Sequence, residues 1–548
     1  MKVAEAVGRA LAGLGVDTAF GVVGSGNFHL TNAMVAAGVR FVAARHECGA
    51  AVMADAYART SGRLGVLSVH QGPGVTNALT GVAEAAKSRT PMVVLAPDTG
   101  AAGARSNFRL DQAALVAGIG AVYERAATPD SAVDDAVRAV RRARAERRTV
   151  VLGLPLDVQA GEASDREPAV LPPEPAIAPA PESVAGLAEL LVSARRPVFI
   201  AGRGARGTGA APALVDLADR CGALLATSAV AKGLFNGNPW YLDVSGGFAS
   251  PLAAELITDA DLVVAWGCAL NMWTTRHGRL LGPQATVAQV DIDADALGAN
   301  PRVRFAVLAE ATATARAVDA ELARRGYRGN GYRDVKLRER IATEVRWRDI
   351  GYADESTADR IDPRTLSIRL DDLLPAERVV AIDSGNFMGY PSMYLSVPDA
   401  AGFCFTQAFQ SIGLGLATAI GAAVARPDRL PVAALGDGGF LMGVAELETV
   451  ARLGLPMVIV VYDDSAYGAE VHHFGPDGYP LDTVTFPDTD LAAIARGFGL
   501  DGVTVRGPNE LQPVREWLDG PRSRALLIDA KVVASHGSWW LEEAFRGH

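Results

Sequence analysis

Asp437, Asp464 and Glu47 are the residues whose type and setting could do chemistry in this sequence. Asp437 lies in Leu435-Gly436-Asp437-Gly438-Gly439-Phe440, directly after the short apolar run 431–435. Asp464 closes a second apolar run, 457–462, in Tyr462-Asp463-Asp464-Ser465-Ala466-Tyr467-Gly468. Between them Leu441, Val444, Leu447 and Val450 recur at helical spacing, which predicts one helix over 440–453. A strand–turn–helix–strand unit makes its two strands parallel neighbours. Both aspartates then leave one sheet edge at the carboxyl ends of their strands, where open α/β sheets bind ligands. Two carboxylates beside free N–H groups of a helix start suit a magnesium-bound diphosphate. Gly-Asp-Gly alone is also an ordinary turn, so the order of the elements carries the reading.

That order resembles the magnesium–diphosphate motif of thiamine-diphosphate (ThDP) enzymes: Gly-Asp-Gly, a helix, a strand, then commonly Asn-Asn. The resemblance puts Asp437 and Asp464 on the two side-chain ligand positions, and Ala466 where a carbonyl completes the metal site. Gly436, Gly438, Gly439 and Met442 then fall in the cofactor-binding turn. Asp463-Asp464 departs from Asn-Asn, which adds negative charge beside the metal.

Arg45-His46-Glu47, Ala54-Asp55-Ala56-Tyr57-Ala58-Arg59 and Gly72-Pro73-Gly74-Val75-Thr76-Asn77 resemble the N-terminal domain of acetolactate synthases and their relatives. By itself a Glu before a helix is an exposed residue favoured by the dipole. The resemblance instead implies that Glu47 hydrogen-bonds N1′ of the aminopyrimidine and promotes the imino form that removes the thiazolium C2 proton. The resulting carbanion attacks a 2-oxo acid and CO₂ leaves. A Glu in that role needs an apolar setting. Pro73 and Asn77 are implied at the cofactor. The Gln410 carbonyl would accept from the 4′-amino group, and Ile412, otherwise an ordinary core residue, would bend the cofactor. Ser384-Gly385-Asn386 match the loop over the diphosphate, and Gln112 matches a glutamine near the reacting centre. Asp111 stands where a Phe is usual, so the acceptor pocket is expected to differ.

Other positions lean toward 2-oxo acid decarboxylases. His70 sits where some of them carry a catalytic His, and Glu470 where pyruvate and indolepyruvate decarboxylases carry a proton-transfer Glu. His472 and His473 follow, although a surface charge cluster explains these three as well. Ser25-Gly26-Asn27-Phe28-His29, after the first strand, occupy the turn that lines the substrate pocket in such enzymes, and His473 is placed there too. Ser535-His536-Gly537-Ser538-Trp539-Trp540 match a tail that closes over the site in relatives; simple packing accounts for it equally.

These residues need a scaffold. Short apolar strands alternate with small-residue helices from residue 18 to about 154, again over 182–326, and again from 363, which predicts an α/β fold of three doubly wound parallel-sheet domains. The expected domains are a pyrimidine-binding unit (1–161), a middle unit (182–326) and a diphosphate-binding unit (363–548). A proline-rich linker, 162–181, follows the first, and a polar, partly helical connection, 324–362, precedes the third. Gly202-Arg203-Gly204-Ala205-Arg206-Gly207 is formally G-x-G-x-x-G, but in a chain with 58 glycines it reads first as a structural turn. Residues 1–15 read as an amphipathic helix rather than a targeting segment.

A net charge of −10 argues against nucleic-acid or anionic-membrane partners, and no apolar run reaches the roughly 18 residues of a membrane span. Four scattered cysteines indicate neither zinc nor a disulfide framework and suit a cytoplasmic setting. The reading is therefore a ThDP- and Mg²⁺-dependent, acetolactate synthase-like carboligase acting on a small 2-oxo acid, pyruvate first, and a carbonyl acceptor. By resemblance it is a homodimer or homotetramer with active sites between subunits. A simple decarboxylase releasing an aldehyde is the alternative; a non-catalytic nucleotide-binding protein on the same fold is a second. No FAD is expected, although FAD occupies the middle domain of some relatives.

Overall fold

The computed structural model describes residues 1–100, 103, 105–163, 176–207, 209–535 and 537–541. Most of the proline-rich linker, and His536 of the tail, fall outside the described residues. Three six-stranded parallel sheets, each flanked by helices, make up the α/β fold. The first contains β1 (Thr18–Gly21), β2 (Arg40–Ala43), β3 (Gly65–Ser68), β4 (Met92–Asp98), β5 (Val122–Arg125) and β6 (Thr149–Pro155), in the order β2-β1-β3-β4-β6-β5. The second contains β7 (Pro197–Ala201), β8 (Leu224–Thr227), β9 (Tyr241–Val244), β10 (Leu262–Trp266), β11 (Thr286–Asp291) and β12 (Val303–Leu308), in the order β12-β11-β10-β7-β8-β9. The third contains β13 (Arg378–Ile382), β14 (Phe403–Phe405), β15 (Leu430–Gly436), β16 (Val458–Asp463), β17 (Asp501–Val505) and β18 (Leu526–Lys531), in the order β14-β13-β15-β16-β18-β17. The first and third sheets thus share one topology, strand for strand.

In each sheet the winding direction first reverses at a central point where the strand ends part to leave a crevice, and in the first and third sheets it reverses again at the edge formed by β6-β5 and β18-β17. The switch points lie between β1 and β3, between β7 and β10, and between β13 and β15. Residues 22–27 and 69–71 leave the first, Gly202–Gly204 and Gly267–Cys268 the second, and Asp383–Asn386 and Gly436–Asp437 the third. Every residue of β15 up to Leu435 and of β16 is buried, as expected of strands covered on both faces.

The first and third sheets are joined through helices. Helix Glu47–Ser61 packs on helix Gly415–Ala425, in which residues 415–424 are all buried. At the crossing a Cβ added to Gly421 would stand 2.3 Å from the Met53 carbonyl oxygen, so the two backbones touch. The single helix expected over 440–453 is instead three short pieces: Asp437–Met442, a 3₁₀ turn Val444–Glu446, and Leu447–Leu453. Gly443, at φ −100° and ψ 7°, leaves the helical conformation, and the Glu446 N–H then turns back onto its carbonyl in a 3₁₀ turn that breaks the repeat. Leu447 and Val450 are core, whereas Leu441 is 41 % exposed, so the apolar face inferred from spacing does not run through the whole segment. Strand β3 also ends two residues before His70, which lies in the turn beyond it.

Candidate active site

In the third domain β15 delivers Asp437 and β16 delivers Asp463 and Asp464, with Gly436 paired to Tyr462 across the ladder. Glycines here are imposed by crowding. A Cβ on Gly438 would meet the Tyr467 ring at 2.6 Å, one on Gly439 the Asp383 carboxylate at 2.3 Å, and one on Gly468 the Asp464 carboxylate at 2.3 Å. Ser465 takes a positive φ of 57°, which bends the chain so that Ala466 can pair with Thr485. A cavity of about 290 Å³ opens here, lined among others by Asp437, Gly438, Leu441, Met442, Tyr467 and Phe486.

The electrostatics of this corner are uneven. Burial, then the nearby Asp464 and Asp463 carboxylates, push Asp437 up to about 8. Burial and Asp463 push Asp464 up to about 7. Asp463 itself is ion-paired: Lys531, its register partner on β18, places Nζ 2.6 Å from Asp463 Oδ2. The same ammonium lies 2.6 Å from Asp488 Oδ1 and donates to the Thr489 carbonyl. Burial works against the Lys531 charge, but Asp463, Asp488 and Asp529 outweigh it and raise its pKa. The aspartate in the first position of the pair is therefore a structural ion pair, and the second is left for a ligand. Among the described residues no group of three or more His, Cys, Asp or Glu side chains could hold a metal. Two carboxylates that resist ionisation, with a carbonyl-bearing turn beside them, are a donor set that a divalent cation carrying phosphate oxygens would satisfy.

The loops around this corner are tied by Asp383, directly after β13. Its carboxylate accepts from the N–H groups of Ser384, Gly413 and Leu414, and burial pushes it up to about 6. Gln410 has a positive φ of 60° and Ile412 is half-buried, so Ile412 is not an ordinary core residue. Asn386 is spoken for: its Oδ1 accepts from the Ser538 N–H and its carbonyl from Trp540 Nε1. Trp540 packs against Phe248 and Trp273, and Trp539 against Trp347 and the Arg276 guanidinium, so the described part of the tail is packed in place.

In the first domain His46 caps helix Glu47–Ser61, its Nδ1 accepting from the Cys48 N–H. Glu47 opens the helix, and its Oε2 accepts from Asn77 Nδ2 at 3.0 Å. Pro73 is the first residue of helix Pro73–Lys87, after Gly72 at φ 67°. His70 is held on both nitrogens: Nδ1 is 2.7 Å from the Gln71 carbonyl and Nε2 is 3.3 Å from Ser25 Oγ, with Phe108 edge-on to its ring. A Cβ on Gly74 would touch both His70 and Glu47, so these two side chains share one crevice.

The sequence matches, in order, the thiamine pyrophosphate enzyme N-terminal TPP-binding domain over residues 1–115, the central domain over 184–318 and the C-terminal TPP-binding domain over 383–529. The chain belongs to the thiamine-diphosphate-dependent enzymes. It is similar to sulfoacetaldehyde acetyltransferase of Rhodobacter capsulatus, 30 % identical over 99 % of this chain and 96 % of that protein. It is also similar to the probable 2-ketoarginine decarboxylase AruI of Pseudomonas aeruginosa, at 31 % over 92 % and 89 %. Acetolactate synthase isozyme 2 large subunit of Escherichia coli is 27 % identical over 96 % of both chains. The non-catalytic alternative is thereby set aside, and thiamine diphosphate is the cofactor of this family.

Not every expected site residue falls in one place. Asn27 is buried and structural: its Oδ1 accepts from the Gly24 N–H and its Nδ2 donates to the Val22 carbonyl and Ser68 Oγ. Gly26 faces Gln71, while Phe28 and His29 stand exposed at a helix start. Asp111 caps the helix that begins at Gln112. Gln112 donates to the Pro97 carbonyl and keeps Oε1 buried beside a separate polar cleft of about 420 Å³ lined by Asp98, Arg109, Tyr123 and Arg125. Gln410 lines a third cleft of about 450 Å³, which reaches the middle-domain switch point at Gly202–Gly204 and Gly267–Cys268. Glu470 is exposed on helix Gly468–Phe474, and His473 stacks edge-on against Phe474.

Four residues escaped the sequence reading: Asp383, Lys531, Glu84 and Glu446. Asp383 alone left a signal, an acid after a buried strand and before Ser-Gly. Lys531, Glu84 and Glu446 gain their meaning from neighbours distant in sequence.

Proposed function

We propose that this protein is a ThDP- and Mg²⁺-dependent carboligase that decarboxylates a small 2-oxo acid, pyruvate first, and transfers the acyl unit to a carbonyl acceptor in the cytoplasm. The observation that carries the reading is the Asp437–Asp464 pair: two carboxylates pushed up to about 8 and about 7 at adjacent strand ends, beside glycines that admit no side chain. Asp437, Asp464 and the Ala466 carbonyl would hold Mg²⁺. The turn at Gly436–Gly439 and the Asp383-tied loops would hold the diphosphate. ThDP, when bound, supplies the carbon nucleophile and the electron sink for loss of CO₂. Glu47, fixed by Asn77, would hold the proton at the pyrimidine N1′; His70, fixed by Ser25 and Gln71, stands in the same crevice for proton transfer at the substrate.

The working form is a homodimer or homotetramer, with Glu47 of one subunit facing Asp437 of another. Two observations support it. None of the residues lining the 290 Å³ cavity comes from the first domain. Both half-sites also carry exposed apolar rims, Leu441 and Met442 on one, and Val23, Phe28 and Phe108 on the other.

The second reading, a simple decarboxylase, is favoured by His70 and by Glu470 on the helix after the metal turn. Incubation with pyruvate, Mg²⁺ and ThDP, followed by product identification, decides between them. A 2-hydroxyketone or another acyl-transfer product supports the carboligase; free aldehyde alone supports the decarboxylase. No cofactor binding by the purified protein would overturn both.

A further inference from the structure

Two buried glutamates outside the cofactor motifs make the same unusual contact. Glu446, in the third domain, is 3 % exposed, and its Oε1 accepts from the N–H groups of Arg45 and His46, each at 3.1 Å. Those amides lead directly into Glu47. Glu84, in the first domain, is fully buried, and accepts from the N–H groups of Ala408 and Phe409 at 3.0 and 2.6 Å. Those amides lead directly into Gln410. Because the first and third sheets share one strand order, the two contacts are counterparts: each carboxylate stands on the helical segment between the third and fourth strands of its own sheet.

We propose that Glu84 and Glu446 are reciprocal positioning residues, each lent by one domain to hold two successive peptide N–H groups that set a cofactor-facing residue of the other, Gln410 and Glu47.

This inference rests on the reading of Glu47 and Gln410 given above. A buried acceptor for backbone donors is expensive to leave unmatched, so such a carboxylate is a strong constraint on a turn. The Gln410 turn needs one, because its positive φ is a conformation that a non-glycine residue keeps only when its surroundings fix it. Asp383 fastens the far side of the same turn through Gly413 and Leu414, leaving only Gln410–Ile412 free between two anchors. Glu84 is fastened in turn by Arg59, whose Nη2 lies 2.8 Å from it and whose Nη1 donates to the Phe405 carbonyl. Glu446 is fastened by Thr449 Oγ1 at 2.7 Å.

The test compares wild type, Glu84→Gln, Glu446→Gln and Glu47→Gln. A glutamine keeps the shape but removes the charge: at Glu84, whose two oxygens each take one amide, one amide then faces an NH₂ group, and at Glu446, whose Oε1 takes both, the second Arg45 contact through Oε2 is lost. In cofactor-free protein, hydrogen exchange should quicken over 405–412 in Glu84→Gln and over 43–48 in Glu446→Gln. With ThDP and Mg²⁺ saturating, C2 proton exchange of the bound cofactor should slow about tenfold or more in both. Glu84→Asp and Glu446→Asp, which keep the charge but draw the oxygens back, should show the same losses in milder form and serve if a Gln variant does not fold. Unchanged segment exchange, or C2 exchange within twofold of wild type in the Gln variants (the Asp variants where these do not fold) while Glu47→Gln abolishes it, overturns the proposal. Lowered melting temperature with unchanged C2 exchange does so as well, since it marks a purely structural role. Wild-type C2 exchange in Glu47→Gln instead overturns the reading of Glu47 itself.

Discussion

Loading the metal should expel protons from the protein. Asp437 at about 8 and Asp464 at about 7 together hold about one proton or slightly more at pH 7. A divalent cation needs both carboxylates ionised, so that proton must leave on binding. The apparent affinity for Mg²⁺ and ThDP should therefore rise roughly tenfold per pH unit through neutrality and flatten above about pH 8. Calorimetry at pH 7 in buffers of different ionisation enthalpy reads the proton count directly. Asp437→Asn serves as the reference, since whatever the diphosphate and Asp464 shed remains in it while the Asp437 contribution is gone. The signs for stability are opposite. Both pKa values are raised above the unfolded Asp value, so the cofactor-free protein binds more protons folded than unfolded. Its stability should be greatest below about pH 4 as far as this pair is concerned, and fall as pH rises through 7 and 8. Mg²⁺ and ThDP should reverse that fall. Equal proton release in wild type and Asp437→Asn, with an affinity independent of pH between 6 and 8, would refute the reasoning.

Lys531→Met should lower unfolding stability by about 3–5 kcal/mol in chemical denaturation, because it strands Asp463 and Asp529 in the core; a loss under about 0.5 kcal/mol would mean the charges are already relieved by solvent. Asp464→Asn should keep activity while shifting the Mg²⁺ and ThDP concentrations needed, read by titrating each against turnover; complete loss of cofactor binding would count against Asp464 as a ligand. Gly421→Ala gains about 1 kcal/mol of helix propensity but puts a methyl 2.3 Å from the Met53 carbonyl, so a net loss of about 1–3 kcal/mol is expected in thermal melts.

Much of this was legible in the sequence because it rests on local rules. Buried parallel strands read as continuous apolar runs, and loops at their carboxyl ends carry the chemistry, so Asp437 and Asp464 could be located at strand ends before any coordinates, whereas Glu47 and His70 stood out only by resemblance. Helix length was less legible: Leu441, Val444, Leu447 and Val450 keep the spacing of one helix, yet Gly443 breaks it and Leu441 turns outward. Periodicity cannot tell a core leucine from one at a site rim. The meaning of Asp463 was hidden for another reason. Its carboxylate is paired across two strands with Lys531, 68 residues away, and no short window contains both. Glu84 and Glu446 likewise act on loops more than three hundred residues distant.

The touching of Met53 and Gly421 has a consequence for how the enzyme can breathe. Two helices whose main chains are in contact have no slack to slide or hinge, so the pair of domains they join forms one rigid anvil. Whatever opens to admit a substrate and release a product must be the fringe around it, such as the exposed Leu441–Met442 lip.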